Sequence, residues 1–271
     1  MFGRRHRRRS LPIGFAFALL MAAAAFGPVA AASITIVPPP PLTGTPPSCR
    51  LGNTETQDAS YGDWASTLVD WNLRVPSSYA PKDLVPVGRA GIGGSGLVRS
   101  FVIPDLAALT RAARAAGAPI AVEGAYRSYN TQVSTFNHWV AELGYDSALL
   151  GSARAGHSEH QLGTAIDFKS AGGGAPWHLN DFDWATTAAG AWMTTNAWKY
   201  GFVLSYPKDK QSQVCYAHEP WHYRYFGRSI AAEIHASGET TRVWLWQQAH
   251  VRPVTLARAG NLRGPLTTHP F

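Results

Sequence analysis

The sequence predicts an α+β fold, a small mixed or antiparallel sheet with flanking helices and a cleft across the sheet. Helix-like segments and short strand-like segments follow one another without the regular β-α-β repetition of a nucleotide-binding fold. No internal repeat is present, and "GIGGSG" at 91–96 lacks the strand context and the lysine of a phosphate loop, so it reads as a turn. The polar residues best suited to chemistry gather in two runs, "GHSEHQLGTAIDFKS" at 156–170 and "CYAHEPWHYRYFG" at 215–227, each beside a predicted strand.

The chain opens with Arg4, Arg5, Arg7, Arg8 and Arg9, then an apolar run from Leu11 to Phe26, then Ala30, Ala31 and Ala32. This order describes a secretory signal peptide over 1–32, cleaved after Ala32; the alternative is an uncleaved N-terminal anchor. The apolar run is short for a membrane span, and Pro28 with the alanines favours cleavage. Those five arginines also dominate the charge: of +7 for 271 residues, +2 remains without them. The charge argument for a nucleic-acid partner falls with them, and none is expected.

Residues 33–60 are rich in proline and read as an extended spacer. The globular part is expected over 61–236, and 237–271 form a C-terminal extension without an assigned role. Within the globular part "PDLAALTRAARAAGA" at 104–118 predicts a helix, with Pro104 at its start and Gly117 at its end. "PIAVEGAY" predicts a strand leading into "RSYNTQ". Val133, Phe136 and Val140 then mark a helix over 129–143 that stops at Gly144. "GTAIDF" reads as a short strand, 181–201 as one helix whose aromatics belong to the core, and "FVLSY" and "HYRYFG" as further strands. Export would make Cys49 and Cys215 an even pair in an oxidising compartment, so a disulfide between them is expected.

His160, Asp167 and His222 are the candidate metal ligands. Imidazole and carboxylate are good donors for Zn2+, and three of them leave a position open for water. Gly163 permits the tight connection between His160 and the strand that carries Asp167, while His222 comes from a distant segment. Glu219 stands three residues before His222, in a turn stiffened by Pro220, where its carboxylate reaches water without binding the metal. Each residue alone has a plainer role as a turn cap, a hydrogen-bonded histidine or a surface pair. His138, His157, His178 and His218 have no matching partners and read as bystanders.

"SEHQLGTAID" at 158–167 and "EPWHYRYFG" at 219–227 resemble the VanY-type D-alanyl-D-alanine carboxypeptidases, zinc peptidases of the cell wall. That family is marked by Ser-x-His-x-x-Gly-x-Ala-x-Asp and a later Glu-x-x-His. Ser158, His160, Gly163, Ala165 and Asp167 fill the first pattern, Glu219 and His222 the second. "YRSYNTQ" at 126–132 and "NAWKYGFVLSYPKDK" at 196–210 extend the likeness over roughly 65–230. The resemblance implies zinc on His160, Asp167 and His222, with Glu219 as general base and acid. It implies Arg127 as the cation that orients substrate and stabilises developing charge, with Ser158 and Gln132 binding peptide groups or supporting ligands. The implied activity is D-alanyl-D-alanine carboxypeptidase action on peptidoglycan stem peptides outside the cytoplasmic membrane. An L,D-carboxypeptidase, a dipeptidase, an endopeptidase and a non-catalytic zinc-containing wall-binding module stay open. A monomer is expected, touching a membrane only if the N-terminal segment is retained.

Overall fold

The computed structural model describes residues 44–177 and 182–251. The segment expected to be a signal peptide, most of the proline-rich stretch, His178 and residues 252–271 lie outside them. In chain order the elements begin with β1 (Thr54–Glu55) and β2 (Leu73–Arg74), paired in parallel. β3 (Leu84–Pro86), β4 (Gly93–Gly94) and β5 (Leu97–Arg99) follow, with β3 and β5 antiparallel. Then come α1 (Ile103–Ala115), β6 (Ile120–Gly124), α2 (Tyr129–Leu143), α3 (Tyr145–Gly151) and β7 (Ala165–Ser170). α4 (Ala188–Asn196), β8 (Phe202–Leu204), α5 (Gln211–Val214), β9 (His222–Tyr225), α6 (Arg228–Ser237) and α7 (Thr241–Val251) complete the chain.

The central sheet has the order β4-β6-β7-β9-β8, with β4 parallel to β6 and every other pair antiparallel. It is the mixed sheet of the expected α+β class. Strand side chains alternate between faces, and the two faces here do different work. Ile166 and Phe168 of β7 and Tyr223 and Tyr225 of β9 enter a buried cluster with Leu106, Leu109 and Ala113 of α1 and Met193 of α4. Asp167, His222 and Arg224 therefore belong to the opposite face.

α1 forms because Leu106, Leu109, Thr110 and Ala113 recur on one face, all buried, behind a proline in the first turn. Gly117 supplies the left-handed φ of +71° that ends it. α2 starts where the Ser128 Oγ accepts from the Thr131 N–H at 3.2 Å and stops at Gly144.

Four expectations need correction. The single helix expected over 181–201 is divided: a 3-10 turn at Trp184–Thr186 precedes α4, and another at Ala197–Tyr200 follows it. The Thr187 hydroxyl accepts from the Gly190 N–H at 3.0 Å, capping α4 at a fresh start. "GIGGSG" contains the short edge strand β4, which pairs with Ala121 and Val122. The part of the spacer within 44–60 lies along the domain rather than free of it. The Arg154 guanidinium donates to the Gly52 carbonyl at 2.6 Å and that of Arg242 to the Pro47 carbonyl at 3.0 Å. Finally, α7 of the C-terminal extension adds Trp244 and Leu245 to a buried cluster with Leu68, Phe226 and Ile234. Apolar side chains at 244 and 245 extend the packed domain past residue 236. No helix among the described residues is long and apolar enough to cross a membrane.

Cys49 and Cys215 form a disulfide across a sequence separation of 166. It fastens the N-terminal arm to the segment that leads into Glu219. Replacing both cysteines by serine should lower unfolding stability by about 2–5 kcal/mol, since the link restricts the unfolded chain. Urea unfolding of the oxidised protein and the double variant measures this; coincident midpoints would contradict it.

Candidate metal centre

Three local structures bring the ligands together. β7 and β9 pair in a register that sets Asp167 directly opposite His222. β6 bulges between Val122 and Gly124, and Gly124 faces Asp167. A Cβ on Gly124 would sit 2.7 Å from the Asp167 Oδ2, so glycine leaves the carboxylate its space. His160 occupies a 3-10 turn, Glu159–Leu162, and its own N–H donates to the Ser158 Oγ at the start of that turn. Gly163 ends that turn with φ +74° while pressed against Leu84 and Arg99, a place that suits only glycine.

The three ligand residues are buried, and their donor atoms lie within 4.8 Å of one another. The His160 Nδ1 faces the Ala125 carbonyl at 2.8 Å, which turns its Nε2 to the Asp167 Oδ2 at 3.1 Å. The His222 Nδ1 lies 3.1 Å from the Asp167 Oδ1, and its Nε2 lies 2.9 Å from the Glu159 Oε2. The two imidazole rings stand nearly perpendicular with centroids 4.8 Å apart. Ligands bonded to zinc at about 2.0–2.2 Å in a tetrahedron are about 3.3–3.6 Å apart, and each histidine nitrogen already lies near that spacing from an Asp167 oxygen. The donor set fits zinc.

Glu219 stands beside this triad rather than in it, its Oε2 3.7 Å from the His222 Nδ1. The turn is closed by the His222 N–H donating to the Glu219 carbonyl at 3.0 Å. Burial raises the Glu219 pKa to about 8; His222 and Arg127 oppose the rise, while Asp167 and Glu159 add to it. Burial opposes ionisation of Asp167 too, yet His160 and His222 hold it well below the usual carboxylate range. Burial lowers His160. Burial would also lower His222, but its hydrogen bonds to Asp167 and Glu159 carry it to about 10.

These groups open into a cavity of about 340 Å³ whose wall includes Arg127, Ser158, Trp139, Trp177 and Tyr216. The Arg127 Nε is buried without a hydrogen-bond partner among the described residues. The Ser158 Oγ accepts from the His160 N–H at 3.3 Å, so this serine supports a ligand as well as lining the cavity. Gln132 is placed differently: its Nε2 donates to the Ala153 carbonyl at 2.6 Å, linking α2 to the segment before the first motif. His157 is buried and bonds the Asp70 carbonyl, His138 packs on Trp139, and His218 meets the Tyr206 carbonyl. Among the described residues none of these three joins the ligand group.

Sequence reasoning missed Glu159, Ser205, Tyr206 and Arg224. The Tyr206 ring packs 4.8 Å from that of His222, and the other three form a buried polar chain behind it. One signal was legible: Arg224 stands two residues after His222 on a strand, and so shares its face.

A three-ligand zinc site of hydrolytic type, on one face of a small α+β sheet, is the class that these features define. Comparison with known proteins narrows it. The family described as VanY, D-alanyl-D-alanine carboxypeptidase, matches residues 96–228. YodJ of Bacillus subtilis (strain 168) is 34% identical over 171 residues, 62% of each chain, so this chain spans less than two thirds of that relative. The structure of the LdcB LD-carboxypeptidase, 33% identical, matches with a TM-score of 0.56 over 65% of this chain and 82% of that one. A zinc complex of a mutant of the vancomycin-resistance D,D-pentapeptidase VanY, from a VanB-type cassette, is 28% identical. It matches with a TM-score of 0.57 over 67% of this chain and 99% of that one. The chain belongs to the VanY D-alanyl-D-alanine carboxypeptidase family, and His160, Asp167 and His222 are its zinc site.

In the metal-free protein at pH 7, His222 keeps both ring protons, because its pKa lies near 10. The stability this gives the metal-free fold is present below the ordinary histidine value and lost as pH rises through about 10. Zinc must take the place of a ring proton. Uptake at pH 7 should release at least one proton, and apparent affinity should climb with pH toward 10. Titration calorimetry in buffers of different ionisation enthalpy counts the protons; uptake without release would contradict the assignment.

Proposed function

We propose that this chain is an exported zinc metallopeptidase, a D-alanyl-D-alanine carboxypeptidase that removes the terminal residue of peptidoglycan stem peptides. The observation that carries this reading is that Glu219 and Arg127 both line the cavity into which the triad opens. One is a buried carboxyl off the ligand set, and the other is a guanidinium whose Nε has no partner among the described residues.

Zinc, when bound, supplies a Lewis acid that lowers the pKa of water and polarises a carbonyl. Glu219 takes the proton from the attacking water and then hands it to the departing amine. Burial raises its pKa, so that once it has taken the water's proton it can hold it near neutrality until the amine departs. Arg127, in the cavity wall, offers a planar donor fork that can bind a carbonyl or terminal carboxylate of the substrate and stabilise negative charge growing there. Trp139, Trp177 and Tyr216 give the cavity a largely apolar wall that suits small aliphatic side chains and excludes water. The signal peptide read over 1–32 supports an enzyme acting outside the cytoplasmic membrane, where peptidoglycan lies.

A second reading keeps the chemistry and changes the bond. L,D-carboxypeptidase activity is favoured by the closer likeness to LdcB, 33% against 28% for the VanY structure. Dipeptidase and endopeptidase action would use the same groups. A non-catalytic zinc module has less use for a buried carboxyl beside an open metal position.

Glu219→Gln separates metal binding from catalysis. It should retain zinc and lose about 100- to 10,000-fold in turnover, the usual contribution of a general base. The test measures zinc content and released D-alanine in the same preparations, on a stem peptide ending in D-Ala-D-Ala. Near-wild-type turnover by folded, zinc-loaded Glu219→Gln would exclude Glu219 as the base. Inactivity of the wild type on this peptide, with cleavage of an L,D-linked one, would transfer the assignment to the second reading.

A further inference from the structure

Behind the metal ligands runs a chain of buried polar groups that the peptidase chemistry does not use. The Nε2 of His222 lies 2.9 Å from the Glu159 Oε2. The same oxygen accepts from the Ser205 hydroxyl at 2.6 Å, and the Glu159 Oε1 accepts from Arg224 at 3.1 Å. Arg224 is fully buried and anchored in turn, donating to the Trp64 carbonyl at 2.7 Å and the Thr67 carbonyl at 2.8 Å. We propose that Glu159 is a positioning residue of the zinc site, orienting the ring of His222 through its Nε2.

This role rests on the zinc-site reading and on the two-sidedness of imidazole. A histidine ring that turns over by half a rotation exchanges its nitrogens, and only one nitrogen at a time can keep a lone pair for a metal. Glu159 accepts from Nε2, which assigns the proton there and leaves Nδ1, on the Asp167 side, as the donor atom. A carboxylate behind a ligand ring also increases its basicity. Ser205 and Arg224 hold each carboxylate oxygen of Glu159, so the acceptor is fixed before the metal arrives. Arg224 balances the charge that would otherwise be buried alone.

The competing explanation is a buried ion pair, Glu159 with Arg224, that serves the fold alone. Such pairs are frequently replaceable without loss of stability, provided that both charges leave together. This difference gives the test. On the full chain with its disulfide intact, zinc affinity is measured by competition with a chromophoric chelator, and ligand geometry by the visible spectrum of the cobalt(II) form. Ser205→Ala, which disturbs no charge, should weaken zinc binding several-fold with the metal-free circular dichroism unchanged. Glu159→Gln should weaken it by about 10- to 100-fold and alter the cobalt bands. Glu159→Gln combined with Arg224→Met removes both charges; it should fold as the wild type does and still bind zinc at least 10-fold more weakly. Wild-type affinity in the folded double variant would overturn the proposal and leave a structural pair. Unchanged affinity and cobalt spectrum in Ser205→Ala would overturn it even if the Glu159 variants fail to fold. A wild-type protein that binds no zinc would bring down the site reading, and this inference with it.

Discussion

Asp167 faces His222 across the β7–β9 ladder, and the rest of the centre depends on that pairing. Antiparallel register puts two side chains of one face within contact distance, so one hydrogen-bond ladder sets the distance between two ligands. A slip of one residue by either strand would turn its ligand toward the core and bring that strand's apolar neighbour, Ile166 or Tyr223, out. The apolar face therefore protects the site: Ile166, Phe168, Tyr223 and Tyr225 are held against α1 and α4, and that burial fixes the register.

The site places three carboxylates, Glu159, Asp167 and Glu219, near two imidazoles in a poorly hydrated part of the fold. Charges so placed must be compensated or neutralised. Each carboxylate does so differently. Asp167 ionises between two histidines, Glu159 ionises against Arg224 and His222, and Glu219, with less compensation, rises to a pKa of about 8. The residue with the least compensation is the one that suits proton transfer. Only after the partners of the other two are counted does Glu219 stand apart.

Much of this was legible in the sequence. Ligand chemistry, the glycine at 163 and the spacing of Glu219 from His222 pointed to the centre, because each is a local property of a few adjacent residues. The strand of Asp167 and the capped helix after Arg127 were legible for the same reason. The supporting chain was not. Glu159 joins Ser205 and Arg224, which lie 46 and 65 residues away, and no local pattern predicts such pairing. The same holds for the arm at 44–60, whose prolines describe an extended chain but not the surface it follows. Gln132 illustrates the converse: a motif position marked it, and the fold directs its amide to Ala153.

Diffraction from zinc-loaded crystals at wavelengths on either side of the zinc absorption edge tests the central claim most directly. The account predicts one strong anomalous peak bonded to the His160 Nε2, an Asp167 oxygen and the His222 Nδ1, with Glu219 outside bonding distance and Glu159 still on the His222 Nε2. A peak bonded through the His222 Nε2, or at a site that omits any of these three residues, would contradict it.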